Sequence, residues 1–173
     1  GKNATLRVVL GRPGSRRRQP PEMSSSTSRP LYVKCGAAHS HIKEEDRYSM
    51  IETVIKGERV ILALMADGHG GAEAAEEAAA VVLPKIVANA SDGSSEALST
   101  AAEEAFRDVH DHVRNVSGTM SGASLAVLCL NATRSEVSVW NVGDVQVLLV
   151  DDESHSQLGT SHRFDANADE QAR

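Results

Sequence analysis

The 173-residue sequence predicts an α+β fold, and three observations carry that prediction. Short β-rich runs come in two groups of three. Between the groups lie two helical stretches, and nowhere does a strand alternate with a helix as a parallel βαβ unit requires, so the strands should form antiparallel sheet with helices layered on it. One run, "RVILALMA" (59–66), is apolar almost without interruption. A half-exposed strand would alternate, so this one should be buried on both faces.

The length suits one domain with a real core. With one Trp, two Phe and two Tyr, that core must be built from Val, Leu, Ile and Ala. No apolar run approaches the roughly 18 residues needed to span a bilayer, and the start lacks a basic-then-apolar leader. No membrane partner is expected, and the protein reads as intracellular, cytoplasmic or nuclear. Cys35 and Cys129 are too few for a disulfide framework and lack metal-ligand spacing, so they read as buried free thiols in a reducing compartment. Four N-x-S/T sequons, at Asn3, Asn89, Asn115 and Asn131, read as coincidence without a leader. The net charge of −6 is uneven: residues 1–30 hold seven bases and one acid, so the remainder is strongly acidic and unsuited to nucleic acid. That basic segment, rich in Pro and Ser, reads as a disordered linker ahead of a domain over 31–173.

The elements follow in order. Residues 31–38 form a first strand and 47–55 a second; a turn at Gly57 joins the second to the apolar third strand in a hairpin. A first helix should run from about Ala72 to Val87, with Glu73, Glu76 and Glu77 suiting its N-terminus. Pro84 predicts a kink or an early stop. Asp92-Gly93 turns the chain, Ser94 or Ser95 caps, and a second helix runs to about Val116 with an apolar face including Leu98, Ala102, Ala105 and Val109. Three strands close the pattern, at 123–130, 136–142 and 145–150, the last two joined by a tight turn at Gly143-Asp144. Residues 151–157 read as a loop.

The chemistry concentrates in "DGHGG" (67–71). Asp67 stands where the apolar strand should end, so a rigid element presents its carboxylate. Gly68, Gly70 and Gly71 leave room for close approach to the backbone. Carboxylate and carbonyl oxygens match a hard cation such as Mg²⁺ or Mn²⁺, and His69 has a side chain able to donate a proton near neutrality. An ordinary Asx turn leading into a helix is the competing reading. Glu45 and Asp46, just before the second strand, can lie beside the end of the third, and carboxylates gathered from separate strands repel unless a cation sits among them.

The segment "VILALMADGHGGAEAAEEA" resembles the F-D-G-H-G-G signature of the metal-dependent protein phosphatases of type 2C, the PPM family. In the same order, "HIKEEDRYSM" is similar to R-x-x-M-E-D, "SGASLAVLCL" to S-G-S-T-A-V, "VSVWNVGDVQVLLV" to N-x-G-D-S-R, and "SHRFDANADEQAR" to D-H-K-P…E-x-x-R. The resemblance implies a four-layer α-β-β-α sandwich of antiparallel sheets flanked by helices. It implies a protein serine/threonine phosphatase in which two divalent cations, Mg²⁺ or Mn²⁺, hold a bridging water that attacks the phosphate of a phosphoprotein substrate. By motif position, Asp67 would bridge both metals, the Gly68 carbonyl would bind one, Glu45 and Asp46 would hold metal-bound waters, and His69 would be the general acid.

The departures are specific. His41 stands where the family has a phosphate-binding Arg, and imidazole lacks the guanidinium fork. Val145 and Gln146 replace Ser and Arg, and Thr119 falls where a further metal-site acid is expected. The sequence matches only the N-terminal part of the family's domain, ahead of the segments that supply its other metal-binding acids. Asp165 and Asp169 sit in surroundings unlike those segments. A second chain supplying the rest is therefore an expected partner, because missing strands would leave an apolar edge uncovered. Three readings stand side by side: a phosphatase, a catalytically impaired phosphatase-like scaffold that binds partners, and an unrelated α+β binding module.

Overall fold

The computed structural model describes residues 5–11, 32–38, 44–150, 154–160 and 162. Its centre is a four-stranded antiparallel sheet of β3 (Arg47–Ile55), β4 (Glu58–His69), β5 (Gly122–Asn131) and β6 (Glu136–Val142), in that spatial order. Two helices, α1 (Glu73–Asn89) and α2 (Ser95–His112), lie between β4 and β5 in sequence. Two-stranded ribbons of β1 (Thr5–Gly11) with β2 (Tyr32–Ala38), and of β7 (Val147–Val150) with β8 (His155–Leu158), complete the described elements. The α+β class follows directly. No helix among the described residues is long and apolar enough to cross a membrane.

The β3–β4 hairpin closes through Lys56 and Gly57, both with positive φ, the two-residue geometry that matches strand twist. From Val60 to Ala66 every residue of β4 is buried, as its unbroken apolar run predicts. Alternate side chains serve different layers. Val60, Leu62, Leu64 and Ala66 join Leu125, Val127 and Cys129 of β5 against the helices, which present Ala75, Ala78, Val82, Leu83 and Ile86 from α1 and Leu98, Ala102, Ala105 and Val109 from α2. Small residues on the helix faces permit close packing, and each fully buried Leu or Val contributes about 1.5–3 kcal/mol. Trp140 closes the rim of this layer and donates its indole N–H to Ser99 Oγ at 2.9 Å.

The opposite face is apolar too. Ile61, Ala63 and Met65 are buried there, whereas Tyr48, Met50 and Val54 on β3 and Val137 on β6 are exposed. The chain after β8 crosses this side of β6, where Asn141 Nδ2 donates to the Thr160 carbonyl at 2.5 Å and the His162 amide to that of Gly143 at 2.9 Å.

Several elements differ from the sequence reading. Pro84 does not stop α1, which runs on to Asn89. Both Pro84 and Ala80, whose carbonyl loses its partner, face solvent, so water can replace the missing bond while Val82, Leu83 and Ile86 hold the helix from below. Ser94 caps α2 by accepting from the Ala97 amide at 3.2 Å, and after His112 the chain widens into a π-turn, Val113–Ser117. The expected hairpin of 136–142 with 145–150 does not form: β7 pairs with β8, inside the stretch read as a loop. Gly143, at φ 81°, turns the chain off the sheet before β7 begins. Within the segment read as a linker, Thr5–Gly11 is a strand paired with β2. Its "TLRVVLG" is β-prone, a local signal hidden by averaging over the Pro- and Ser-rich remainder. Cys129 is buried, and burial pushes its thiol up to about 12, so it is an inert core group. Cys35 lies on β2.

A polar clamp joins the far ends of these elements. Arg134 grips Glu58 with two bonds of 2.6 Å, and Asn131 Nδ2 donates to Glu58 Oε2 at 2.6 Å and to the Gly93 carbonyl at 2.8 Å. Gly93 is required here, because a Cβ would stand 2.6 Å from Glu58 Oε2. Asn131 is 2% exposed, so its sequon is inaccessible in the folded chain. The hydrogen bonds from Arg134 and then Asn131 hold the Glu58 carboxyl at about 2, against an ordinary 4.5. A depressed carboxyl stabilises the fold fully above pH 4.5 and loses that contribution as pH falls toward 2. Glu58→Gln should therefore lower the urea midpoint at pH 7, and its deficit against wild type should shrink between pH 4.5 and 2, as read by denaturation curves across that range.

Candidate functional site

β4 does not end where its apolar run ends. It continues through Asp67, Gly68 and His69, which pair with Ser124, Ala123 and Gly122 of β5. Asp67 is thus a strand residue and not the start of an Asx turn. The turn into α1 comes afterward, at Gly70 and Gly71, whose φ of 71° and 131° suit glycine alone.

Register then gathers the acids. Arg47 of β3 pairs with Ala66, so Asp46, one residue earlier, stands beside Asp67. Neighbouring strands are about 4.8 Å apart, within reach of a carboxylate. On the other side Ser124 lies opposite Asp67, and its hydroxyl donates to Asp144 Oδ1 at 3.1 Å. One row across the sheet end therefore reads Asp46, Asp67, Ser124, with Asp144 held from the last.

The segment 44–46 is fixed by its neighbours. Arg47 Nη1 donates to the carbonyls of Glu44 and Asp46 at 2.7 and 2.8 Å, while its Nη2 reaches Glu76 on α1. Glu45 Oε1 accepts from the Gly71 amide at 2.9 Å, tying the acidic segment to the glycine turn. Gly68 permits this crossing, because a Cβ there would collide with the Glu45 backbone carbonyl. His69 is exposed at the mouth, and its ring lies so close over Gly122 that any side chain at 122 would displace it.

Thr119, where the resemblance expects an acid, has a structural task. It hydrogen bonds to Ser121 through both the Ser121 amide and hydroxyl, each at 3.1 Å, and Ser121 Oγ accepts from the Ala74 amide at 3.0 Å. Ala72 at the α1 N-cap has no side-chain oxygen to offer, so Ser121 serves the helix start from outside. His41, Asp165 and Asp169 lie outside the described residues. Ser124, and through it Asp144, joins this row by register, which becomes countable only once β4 is known to run to His69.

Asp67 is solvent-accessible yet pressed against the sheet end. Partial burial first, then the charge and hydrogen bond of Asp46, then the charge of Asp144 raise its pKa above 3.8, with His69 opposing them. Like charges thus converge at Asp67, with His69 opposing them in part. The donor set of carboxylates and an adjacent Gly68 carbonyl is chemically fitted to a hard divalent cation. Among the described residues, however, no three or more His, Cys, Asp or Glu side chains are grouped to hold a metal ion by themselves.

Comparison with known proteins bears on this geometry. The family model for protein phosphatase 2C matches residues 39–173. No curated protein sequence gives a match. Among solved structures 42 chains match. One is the PPM Ser-Thr phosphatase MsPP from Mycobacterium smegmatis, crystallised in complex with cacodylate: it is 19% identical, with a TM-score of 0.47, over 69% of this chain and 54% of that one. The chain thus spans about half the length of that structure.

Two outcomes follow for the metal-free protein. A carboxyl whose pKa is raised in the fold binds its proton more tightly there than in the unfolded chain, so stability falls as pH rises above 3.8. Asp67→Asn should melt higher than wild type at pH 7 in chelator, with the difference closing below pH 3.8. Gly68→Ala should cost about 1–3 kcal/mol in denaturant unfolding, because the Glu45 segment must move to admit a methyl group.

Proposed function

The chain belongs to the protein phosphatase 2C family, and from that premise we propose that it carries one edge of a metal-dependent protein serine/threonine phosphatase site, acting on phosphoserine or phosphothreonine of a phosphoprotein. The observation that carries the reading is the Asp46–Asp67 pair. A fold with no use for a cation would gain by separating these carboxylates, and here strand register and Arg47 hold them together.

Divalent cations, Mg²⁺ or Mn²⁺, supply a nucleophile at neutral pH and screen phosphoryl charge when bound. Asp67 and the Gly68 carbonyl would be the direct holders in this reading, and Asp46 and Glu45 would order the water around the cation. Glu45 has a second task, since its bond to Gly71 keeps the glycine turn in place. His69, standing over Gly122 at the open mouth, donates a proton to the leaving serine or threonine oxygen. His41 contacts the substrate phosphate, more weakly than an Arg fork would. A two-cation site needs further acids beyond these. The impaired-scaffold reading draws on one specific observation, the lack of a three-group metal cluster among the described residues.

Manganese-dependent hydrolysis of a phosphothreonine peptide tests the proposal. Asp67→Asn should lower kcat/KM on the order of 100-fold or more. His69→Gln should cost about 100-fold on the peptide but far less on p-nitrophenyl phosphate, whose leaving group needs no proton. A protein that takes up Mn²⁺ without hydrolysing either substrate is the scaffold. One that does neither overturns the cation reading.

A further inference from the structure

We infer that Met120 is a specificity-determining residue, whose thioether side chain receives an apolar residue of the phosphopeptide two positions from the phosphorylated serine or threonine. The inference rests on the phosphatase reading of the site around Asp67 and His69.

Met120 is 94% exposed, more than any other large apolar side chain among the described residues; the next, Val54 and Val150 at 65%, belong to β3 and β7. Its backbone, by contrast, is tied on every side. Upstream, α2 widens into the π-turn Val113–Ser117, and Gly118 turns the chain at φ 63°. Downstream, Gly122 enters the β4–β5 ladder opposite His69. Between them Thr119 Oγ1 bonds the Ser121 amide and hydroxyl, each at 3.1 Å, and Ser121 Oγ accepts from the Ala74 amide at 3.0 Å. The Met120 carbonyl lies against the glycine turn, where a Cβ on Gly70 would stand 3.4 Å from its oxygen. Ser121 is thus turned toward the start of α1, and its neighbour Met120 is left facing water on a fixed mount.

The fold does not account for an apolar residue here. At 94% exposure the side chain buries almost nothing, so a polar residue would serve the loop equally well. Its place supplies the reason. The His69 ring lies over Gly122, and Met120 precedes Gly122 by two residues, at most about 7 Å of chain. An extended peptide whose phosphorylated residue meets His69 carries its next side chain of the same face two residues away, about 6.6 Å along. The row across the sheet end is polar or charged, with Asp46, Asp67 and Ser124 in line and Asp144 held by Ser124, so an apolar substrate side chain finds its match at Met120. An unbranched, polarisable thioether adapts to apolar partners of different shape.

Steady-state kinetics with Mn²⁺ on three substrates test the idea: a phosphothreonine peptide with Leu two residues to each side, the same peptide with Ala at both places, and p-nitrophenyl phosphate. Wild-type kcat/KM should favour the Leu peptide about 10-fold, the scale on which one apolar contact discriminates substrates. Met120→Ser should bring that ratio to about 1, and Met120→Leu should keep it, because the contact needs apolar bulk and not sulfur. Thermal melting of both variants should match wild type, since the side chain is exposed. A role in loop structure alone would instead lower melting and slow all three substrates together, with the ratio unchanged. Wild-type protein that hydrolyses both peptides at a ratio near 1, or p-nitrophenyl phosphate alone, overturns this inference and leaves a phosphatase. Protein that hydrolyses none of the three overturns both readings.

Discussion

β4 stays paired with β5 for three residues beyond its buried run, from Asp67↔Ser124 to His69↔Gly122, and the position of every group at the site follows from that extension. Had the ladder ended at Ala66, Asp67 would lie in a flexible turn and could swing away from Asp46. Held in a strand, its carboxylate has one exit direction. The same ladder sets Ser124 beside it, Gly122 beneath His69, and the glycine turn against the start of α1.

Three glycines convert that ladder into a site by removing atoms. Gly68 lets the acidic segment cross β4, Gly122 admits the His69 ring, and Gly143 lets Ser124 reach Asp144. Each is a close approach of backbone or side chain that a methyl group would block. The result concentrates negative charge at the open end of an otherwise dry sheet, an arrangement that raises the Asp67 pKa and costs stability where that group is ionised. The clamp of Glu58, Arg134 and Asn131 at the opposite end is the contrasting case. There an acid meets its cation within the chain, its pKa falls, and the contact stabilises.

The two faces of the sheet differ in the same spirit. Toward α1 and α2 the layer is filled by aliphatic residues and closed by Trp140. On the other face the centre is buried while Tyr48, Met50, Val54 and Val137 are exposed at its margins. The acidic row lies at one end of the strands, where the fully packed layer supplies the rigidity that holds like charges close.

Much of this was legible in the residues. The unbroken run at 59–66 placed the central strand, helical periodicity placed α2, the cap was narrowed to Ser94 or Ser95, and D-G-H-G-G beside E-E-D carried the resemblance to the family, because each is a local pattern with a local cause. What lay beyond the sequence was set by pairing across distance. The continuation of β4 through His69 depends on β5 being present to bond it, and Pro84 is tolerated because its solvent-facing position is decided by packing. The pairing of β7 with β8 in place of β6 follows from a turn anchored by Ser124 and His162. Asp144 belongs to the acidic row only through a register between strands more than fifty residues apart. Side-chain chemistry is written residue by residue, whereas which carboxylates must face one another is decided by the hydrogen-bond ladder that the whole sheet forms.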